Sequence, residues 1–241
     1  MIKIENVSVA GWEPALRGMR NPMNSWSDSD TTYEINGDAH IGPNDLRLGK
    51  KLSYGGNDHG KFTRMIICWC DITAPLYWWK EFDTYRVGVE KNSCSTMHRV
   101  HCQEFEPDMF SHEHLLGMPE SDSDARLKNM DDADWLAGIT VQESGDLAYY
   151  SPRGFLRMIC GVLNRYRKLY LENKDKMYWW QIIQLLPSSY NQRRTVMMSY
   201  QALGNIYHQR RHHKLDEWQR FCDWVETLPY AAEFIAHVDK Q

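Results

Sequence analysis

Side chains able to do chemistry gather in three stretches of the sequence. Histidines cluster at His98, His101, His112 and His114, with Cys102 among them. Neutral imidazole and thiolate are good zinc ligands, so a metal-dependent enzyme could be built there. The spacing matches no common zinc pattern, and the segment reads as a loop, where histidines are often merely exposed; no metal is expected. A second stretch runs from His59 to Arg99 and carries Glu81, Arg86, Asn92 and Ser95. The third holds Ser199, Asn205 and the basic run Arg210-Arg211-His212-His213-Lys214, by default a solvated face. Guanidinium forks grip phosphates through bidentate, charge-assisted bonds, which gives these arginines their chemical interest. There is no phosphate-cradling glycine loop, no G-x-S-x-G elbow, no H-E-x-x-H and no paired C-x-x-C.

The elements that must position these residues can be read from periodicity. Ile2, Ile4, Val7 and Val9 predict a short opening strand, followed by a helix over Gly11 to Arg20. Residues 21–41 are polar and turn-rich, with a mobile loop expected at Ser25 to Asp30. Pro43-Asn44-Asp45-Leu46 opens a helix to about Tyr54, stopped by Gly55-Gly56-Asn57-Asp58. Phe62 to Ile72 is rich in β-formers and apolar on both faces, which predicts a central strand. Thr73-Ala74-Pro75 then reads as a capped helix start, with the helix running towards Arg86. Residues 87–124 look irregular, and Ser121 to Leu136 is acidic and helical. A long helix begins at Ser151-Pro152, with Phe155, Met158, Ile159, Val162, Leu163, Tyr166, Leu169 and Tyr170 at helical spacing. Further helices are expected at Tyr178–Leu186, Tyr200–Arg211 and Asp216–Thr227, with a short strand at Thr195–Met198.

Composition bounds the function. The 241 residues suit one domain spanning 1–241, and 42% apolar with 25% charged residues is ordinary for a globular protein. A formal net charge of -4 argues against a general nucleic-acid binder, which needs a basic face. No apolar run approaches the roughly 20 residues that span a bilayer. The start, Met1-Ile-Lys-Ile-Glu-Asn, lacks an apolar signal core, so a cytoplasmic protein without membrane partners is expected. The six cysteines (Cys68, Cys70, Cys94, Cys102, Cys160 and Cys222) show no framework spacing and read as reduced, mostly buried thiols. Cys68 and Cys70 flank Trp69 and should share one face of a strand. Ten Trp and 13 Tyr suit a deep core, a subunit interface or a pocket for a planar ligand, and Trp78 and Trp79 read as core or interface first.

Two of these regions carry a resemblance. One runs from His59-Gly60-Lys61-Phe62 through Ala74-Pro75, Trp78-Trp79-Lys80-Glu81-Phe82 and Thr84-Tyr85-Arg86 to Asn92 and Ser95. The other runs from Leu186-Pro187 through Ser199, Asn205 and Arg210 to Lys214-Leu215-Asp216-Glu217-Trp218. Both resemble the flavin-dependent thymidylate synthases, the ThyX family. There an upstream histidine precedes a strand, A-P opens a helix leading into R-H-R-x-x-S-x-N-E-x-S-x-R-Y, and L-P precedes a strand, a helix with Asn and Arg, and Q-W-E. Aligned on Ala74-Pro75, His59 meets the family histidine and Arg86 the last residue of R-H-R. One inserted residue then puts Asn92 and Ser95 on the motif's Asn and second Ser. Aligned on Leu186-Pro187, Asn205 meets a flavin-contacting asparagine and Arg210 the arginine that holds the uracil. The matches cover about half the chain, and nothing comparable covers residues 100–150. Thr84 and Tyr85 replace the first Arg and the His of R-H-R, Ser93 the Glu, and Met97-His98 the closing Arg-Tyr. Ile183 stands where the family has a phosphate-binding arginine, and Ser199 where it has another flavin-contacting Asn.

The resemblance implies an α+β, ThyX-like fold, with a small mixed or antiparallel sheet packed against several helices. It implies FAD as cofactor, held by His59, Arg86, Asn92, Ser199 and Asn205. Glu81, Ser95, Arg99 and Arg210 would bind a pyrimidine nucleotide, with Arg210 also the catalytic residue that polarises the ring. Arg99, Arg193, Arg194 or Arg211 could replace the missing phosphate ligands. The implied activity is one-carbon transfer to dUMP or a related nucleotide from methylenetetrahydrofolate with NADPH as reductant, in a homotetramer whose flavin sites are shared between subunits. The alternative is a catalytically inactive nucleotide- or flavin-binding or structural homologue of the same fold.

Overall fold

The computed structural model describes residues 2–56, 58–115 and 152–236; the acidic helix expected at Ser121–Leu136 lies outside them. The chain divides into two compact units, one of Ile2–Ala74, Trp78–Ser93 and Arg193–Gln241, the other of Pro75–Tyr77 and Cys94–Gln192.

The first unit is organised by a four-stranded sheet of order β1-β4-β6-β5. Strand β1 (Lys3–Ala10) pairs antiparallel with β4 (Ile67–Pro75). The register shifts between Glu5 and Ser8, where Asn6 takes a left-handed φ of 53° and donates through Nδ2 to Asp71 Oδ2 at 2.8 Å. Asparagine tolerates that conformation, so the bulge and its side-chain anchor belong together. Strand β5 (Val89–Ser93) pairs antiparallel with β6 (Asn191–Ser199). Strand β4 is central, as expected, and its period-2 pattern buries Cys68, Cys70, Ile72 and Ala74 on one face. Its other face is not apolar throughout: Trp69 is exposed, and Asp71 accepts bonds from Asn6, Arg193 and Thr195.

Several boundaries differ from the sequence reading, among them β6, which runs Asn191–Ser199 where only Thr195–Met198 was expected. Phe62 lies in a 3-10 turn, Gly60–Arg64, rather than in the strand. Thr73-Ala74-Pro75 ends β4 instead of capping a helix, because proline forces the preceding residue to stay extended. Helix α3 (Leu76–Phe82) therefore starts one residue after the proline, and successive turns at Thr84 and Tyr85 end it well before Arg86. Strand β5 lies where irregular chain was expected; Val89-Glu90-Lys91-Asn92-Ser93 is a polar edge strand without an apolar alternation to announce it.

Helix α1 (Trp12–Arg20) and helix α2 (Pro43–Tyr54) follow the predicted boundaries. Between them, residues 21–41, expected to be polar and turn-rich, form two 3-10 turns and a small hairpin of β2 (Thr32–Tyr33) with β3 (Ala39–His40). A buried ion pair holds it: Arg20 Nε donates to Asp45 Oδ1 at 2.6 Å, with side chains 4% and 0% exposed. The second Asp45 oxygen accepts from Ser29 Oγ at 2.7 Å and Thr31 Oγ1 at 2.6 Å. The other Arg20 nitrogens donate to the carbonyls of Ser25 and Asp28. Each guanidinium nitrogen of Arg20 and each oxygen of Asp45 has a partner, which is the condition under which a buried charge is tolerated.

The second unit packs α4 (Thr96–Arg99), α5 (Pro152–Asn173) and α6 (Lys176–Leu185) around Val100, Phe105, Phe110, Leu156, Cys160, Leu163, Ile182 and Tyr190. The buried stripe of α5 is Leu156, Cys160 and Leu163, whereas Phe155, expected on the apolar face, is 50% exposed. The Asn164 side chain closes a two-way bond with the Phe105 backbone, at 2.7 and 2.9 Å. In the first unit, α7 (Tyr200–Arg210), α8 (Asp216–Glu226) and α9 (Ala231–Phe234) complete the order. All six cysteines are free, with Cys94 and Cys102 exposed and the other four buried. Among the described residues no helix is long and apolar enough to cross a membrane.

Burial pushes the Asp45 carboxyl up, but the bonds from Thr31, Ser29 and Arg20 outweigh it and hold the pKa below the ordinary value. A depressed carboxylate stabilises the fold above its unfolded pKa, near 3.9, and loses that contribution as pH falls through the lower folded value. Asp45→Ala should therefore cost on the order of 3–5 kcal/mol in urea unfolding at pH 7, because it strands the Arg20 charge in the interior. The deficit should shrink below about pH 3; a loss under about 1 kcal/mol at neutral pH would show that the pair does not hold this segment.

Candidate functional site

Helix α7 begins at Ser199, whose Oγ accepts from the Ala202 amide at 3.2 Å. Ser199 is 4% exposed, and its amide donates to the Gly88 carbonyl at 2.9 Å. Gly88 has φ 70°, and a Cβ there would lie 2.6 Å from Ser199 Oγ, so only glycine allows this approach. From this anchored start, Gln201, Gly204, Asn205 and His208 recur at helical spacing and line one wall of a cleft of about 220 Å³. The end of α2 and the turn after it supply Ser53, Gly56 and Gly60, and Phe234 and Ile235 close the cleft from the C-terminal side. Ser53 Oγ is buried and has no hydrogen-bond partner among the described residues. Amides, an imidazole, an unsatisfied hydroxyl and apolar rings around one concavity suit a flat heterocycle with polar edges. The volume fits part of a dinucleotide cofactor, and Gly56 and Gly60 leave room for close approach to backbone. His59 is exposed and immediately precedes Gly60, with its ring against Gly55.

Arg210, at the other end of α7, belongs to a separate cluster. At 3.6 residues per turn, a five-residue step puts it about 140° around the helix from Asn205, on the far side from the cleft. Its Nη1 donates to Glu81 Oε2 at 2.7 Å, and its Nε to the Tyr85 hydroxyl at 2.8 Å. The guanidinium lies 4.7 Å from the Trp218 ring centroid, and Trp218 Nε1 donates to the same Glu81 oxygen at 3.0 Å. His213 Nε2 stands 3.4 Å from that oxygen. Glu81 thus gathers Arg210, Trp218 and His213 at one atom. Sequence reasoning grouped Glu81 with Arg210 as nucleotide ligands but did not foresee that they bond each other, nor the parts of Tyr85 and His213. A separation of 129 residues between Glu81 and Arg210 leaves no local signal of the contact.

The remaining expected site residues are dispersed. Arg86 is exposed, and Asn92 is exposed on β5 opposite Thr195. Ser95 caps α4 by accepting from the His98 amide at 3.0 Å, and Arg99 is exposed; both belong to the second unit. Of the arginines offered as replacement phosphate ligands, Arg193 pairs with Asp71 at 2.7 Å, Arg194 with Asp83 at 2.8 Å and Arg211 with Asp223 at 2.6 Å. Among the described residues the side chains of Arg86 and Arg99 make no ion pair. Ile183 packs against the second unit's apolar core. As for the histidines, His112 Nδ1 lies 2.8 Å from the Phe110 carbonyl and His101 packs edge-on to Tyr170. Among the described residues no group of three or more His, Cys, Asp or Glu side chains could hold a metal ion.

Comparison with solved structures adds the fold's relatives. A Helicobacter pylori thymidylate synthase X (ThyX) with FAD and dUMP superposes with a TM-score of 0.60 over 100% of both chains, at 15% identity. A second H. pylori ThyX complex with FAD and dUMP gives 0.58 over 97% of this chain and 98% of that one, at 16% identity. A UMP/dUMP methylase, PolB from Streptomyces cacaoi, bound with 5-Br dUMP, gives 0.54 over 97% and 94%, at 15% identity. No protein-family model and no curated protein matches the sequence. The chain has the ThyX-like α+β fold that the resemblance implied, built of helices and an antiparallel sheet.

The Glu81–Arg210 pair is only partly buried, with side chains 35% and 19% exposed, so its coupling should be modest. A double-mutant cycle of Glu81→Ala and Arg210→Ala, read by urea unfolding, is expected to give a coupling of about 1 kcal/mol with the fold intact in each variant. Additive effects would mean that the two side chains are not paired in solution.

Proposed function

We propose that the chain binds FAD in the α7 cleft and a pyrimidine nucleotide, and transfers a one-carbon unit to dUMP or a related nucleotide. The observation that carries this reading is Asn205. The asparagine matched to a flavin contact stands in the wall of a cleft, beside Gln201 and His208 and across from Ser53, Gly56 and Gly60. Side-chain amides there offer both donors and acceptors to a ring edge, and the free Ser53 hydroxyl gains the partner it lacks. The superposable ThyX structures held FAD and dUMP, which supports the same ligand classes here. When bound, FAD supplies redox carriage of the one-carbon unit, with methylenetetrahydrofolate as donor and NADPH as reductant; the chain's residues bind, orient and exclude water.

Arg210 has two N–H groups committed, to Glu81 and Tyr85. Its remaining donors can meet a pyrimidine carbonyl, while Glu81 keeps the guanidinium fixed. Because Asn205 and Arg210 face opposite sides of α7, flavin and nucleotide come together only if different copies of the chain contribute the two faces. This supports a homo-oligomer with shared sites, a tetramer in the reading carried here, and a cytoplasmic location suits its substrates.

A second reading, a non-catalytic homologue of the same fold, is favoured by two observations. Glu81 neutralises Arg210, and Ile183 puts an apolar side chain in the second unit's core where the resemblance calls for a phosphate ligand.

The purified full-length chain should be yellow, or should bind added FAD with quenching of flavin fluorescence. Asn205→Ala should weaken FAD binding at least tenfold without changing the fold. Arg210→Ala should weaken dUMP binding and leave FAD binding near that of the unaltered chain. A colourless protein that ignores FAD would remove the flavin reading; FAD binding without complementation of thymidine-requiring cells would select the non-catalytic one.

A further inference from the structure

Outside the cleft and the Arg210 cluster, one group of cationic side chains lies near a histidine ring and has no ion-pair partner among the described residues. His101 lies in the turn Val100–Cys102, and its ring packs edge-on to Tyr170 of α5 with centroids 4.9 Å apart. Arg167, one turn earlier on α5, donates through Nε to the His101 carbonyl at 3.0 Å. Lys174 follows α5 with a left-handed φ of 55°, a position where glycine is the usual residue. Its amide donates to the Tyr170 carbonyl at 2.8 Å, and its Nζ lies 5.7 Å from the Tyr170 ring centroid. Arg99 precedes His101 by two residues and is exposed. All of these residues belong to the second unit.

Arg167 at the His101 carbonyl and Lys174 over the Tyr170 ring that packs on His101 therefore bring cations near one imidazole, with Arg99 two residues away in the chain. Among the described residues none of Arg99, Arg167 and Lys174 is ion-paired, whereas Arg193, Arg194, Arg210 and Arg211 all are. Burial lowers the His101 pKa, and the charges of Lys174, Arg167 and Arg99 lower it further, so the three are close enough to be felt at one ring. His101 Nδ1 is buried without a hydrogen-bond partner among the described residues. Like charges held together repel, and a buried polar atom without a partner costs free energy, so the arrangement is relieved by an oxyanion.

We infer that Arg99, His101, Arg167 and Lys174 form a binding site for a phosphate-type dianion, either a phosphomonoester or free phosphate. The guanidinium of Arg99 and the free edge of Arg167 give fork-shaped donors, Lys174 a point charge, and the neutral imidazole a further hydrogen bond. The proposal does not rest on the flavin cleft, since it needs neither FAD nor Asn205.

The test uses the full-length chain in phosphate-free buffer at constant ionic strength, titrated with inorganic phosphate, dUMP and deoxyuridine, with binding read by calorimetry and Tm. Phosphate should bind and raise Tm, and deoxyuridine should not mimic it through this site. Arg99→Gln with Lys174→Gln should weaken phosphate binding at least tenfold, and Arg99→Lys with Lys174→Arg should restore most of it. If dUMP binding weakens in parallel, the natural ligand is a nucleotide phosphomonoester; if only inorganic phosphate is affected, it is the free anion. Lys174→Gln alone, at an exposed position, should still weaken binding several-fold should the double variant not fold. Undiminished phosphate binding in these variants, or no binding to the unaltered chain at millimolar phosphate, would overturn the site whatever the outcome with FAD.

Discussion

The aromatic face of α3 fixes more of this chain than any other contact. Trp78, Trp79 and Phe82 are fully buried, and Trp78 packs on Phe82 and on Trp218 of α8 at 4.9 and 4.7 Å. Burying side chains of this size contributes roughly 1.5–3 kcal/mol each, with a further increment from ring–ring contact. Once that face is inside, Glu81 has no choice of direction: it lies off the buried stripe, at the rim. Trp218 serves both layers, with its ring in the core and its indole N–H on Glu81. The charged cluster around Arg210 is therefore set by packing beneath it, and its geometry follows from where the tryptophans must go.

Helix α7 turns that local constraint into a division of labour. Its start is pinned by Ser199 against Gly88, so its rotation is not free. With rotation fixed, Gln201, Asn205 and His208 open onto the cleft and Arg210 onto Glu81. One helix thus presents two chemically different faces, amide-rich and cationic, and neither can be moved without moving the other.

Much of the scaffold was legible because its signals are local. Proline and glycine bracket α2, proline opens α5, and Leu186-Pro187 closes α6, and each acts within a few residues. The misreadings have physical causes as well. Phe62 is apolar because a 3-10 turn buries it against Phe234, not because it lies in a strand. The five residues of β5 are mostly polar because one sheet edge needs no apolar alternation. On α5 the apolar residues wrap widely enough that periodicity could not choose between neighbouring stripes, and Cys160, not Phe155, faces inward. The resemblance named Asn205 and Arg210, and their five-residue spacing on a helix sets them apart, but which face meets the cleft and the Glu81 contact emerge only from tertiary packing.

At 15% identity the fold matches while most side chains differ, and the physics of packing explains how both can hold. A core is enforced collectively: many apolar substitutions of similar volume preserve it, so it survives sequence drift. A phosphate ligand is enforced by a single function at a single position, and once that function moves nothing holds the residue. Ile183 adds apolar contact to the second unit's core, and a guanidinium at that position would have to be desolvated. Arg193, Arg194 and Arg211 are each paired and belong to the structural electrostatics of the sheet or of α8. Unpaired cations are then the informative ones. Among the described residues no carboxylate pairs with Arg99, Arg167 or Lys174, although a chain with a net charge of -4 has no shortage of carboxylates. Their lack of a partner among these residues is intelligible if an anion from outside the chain completes the set.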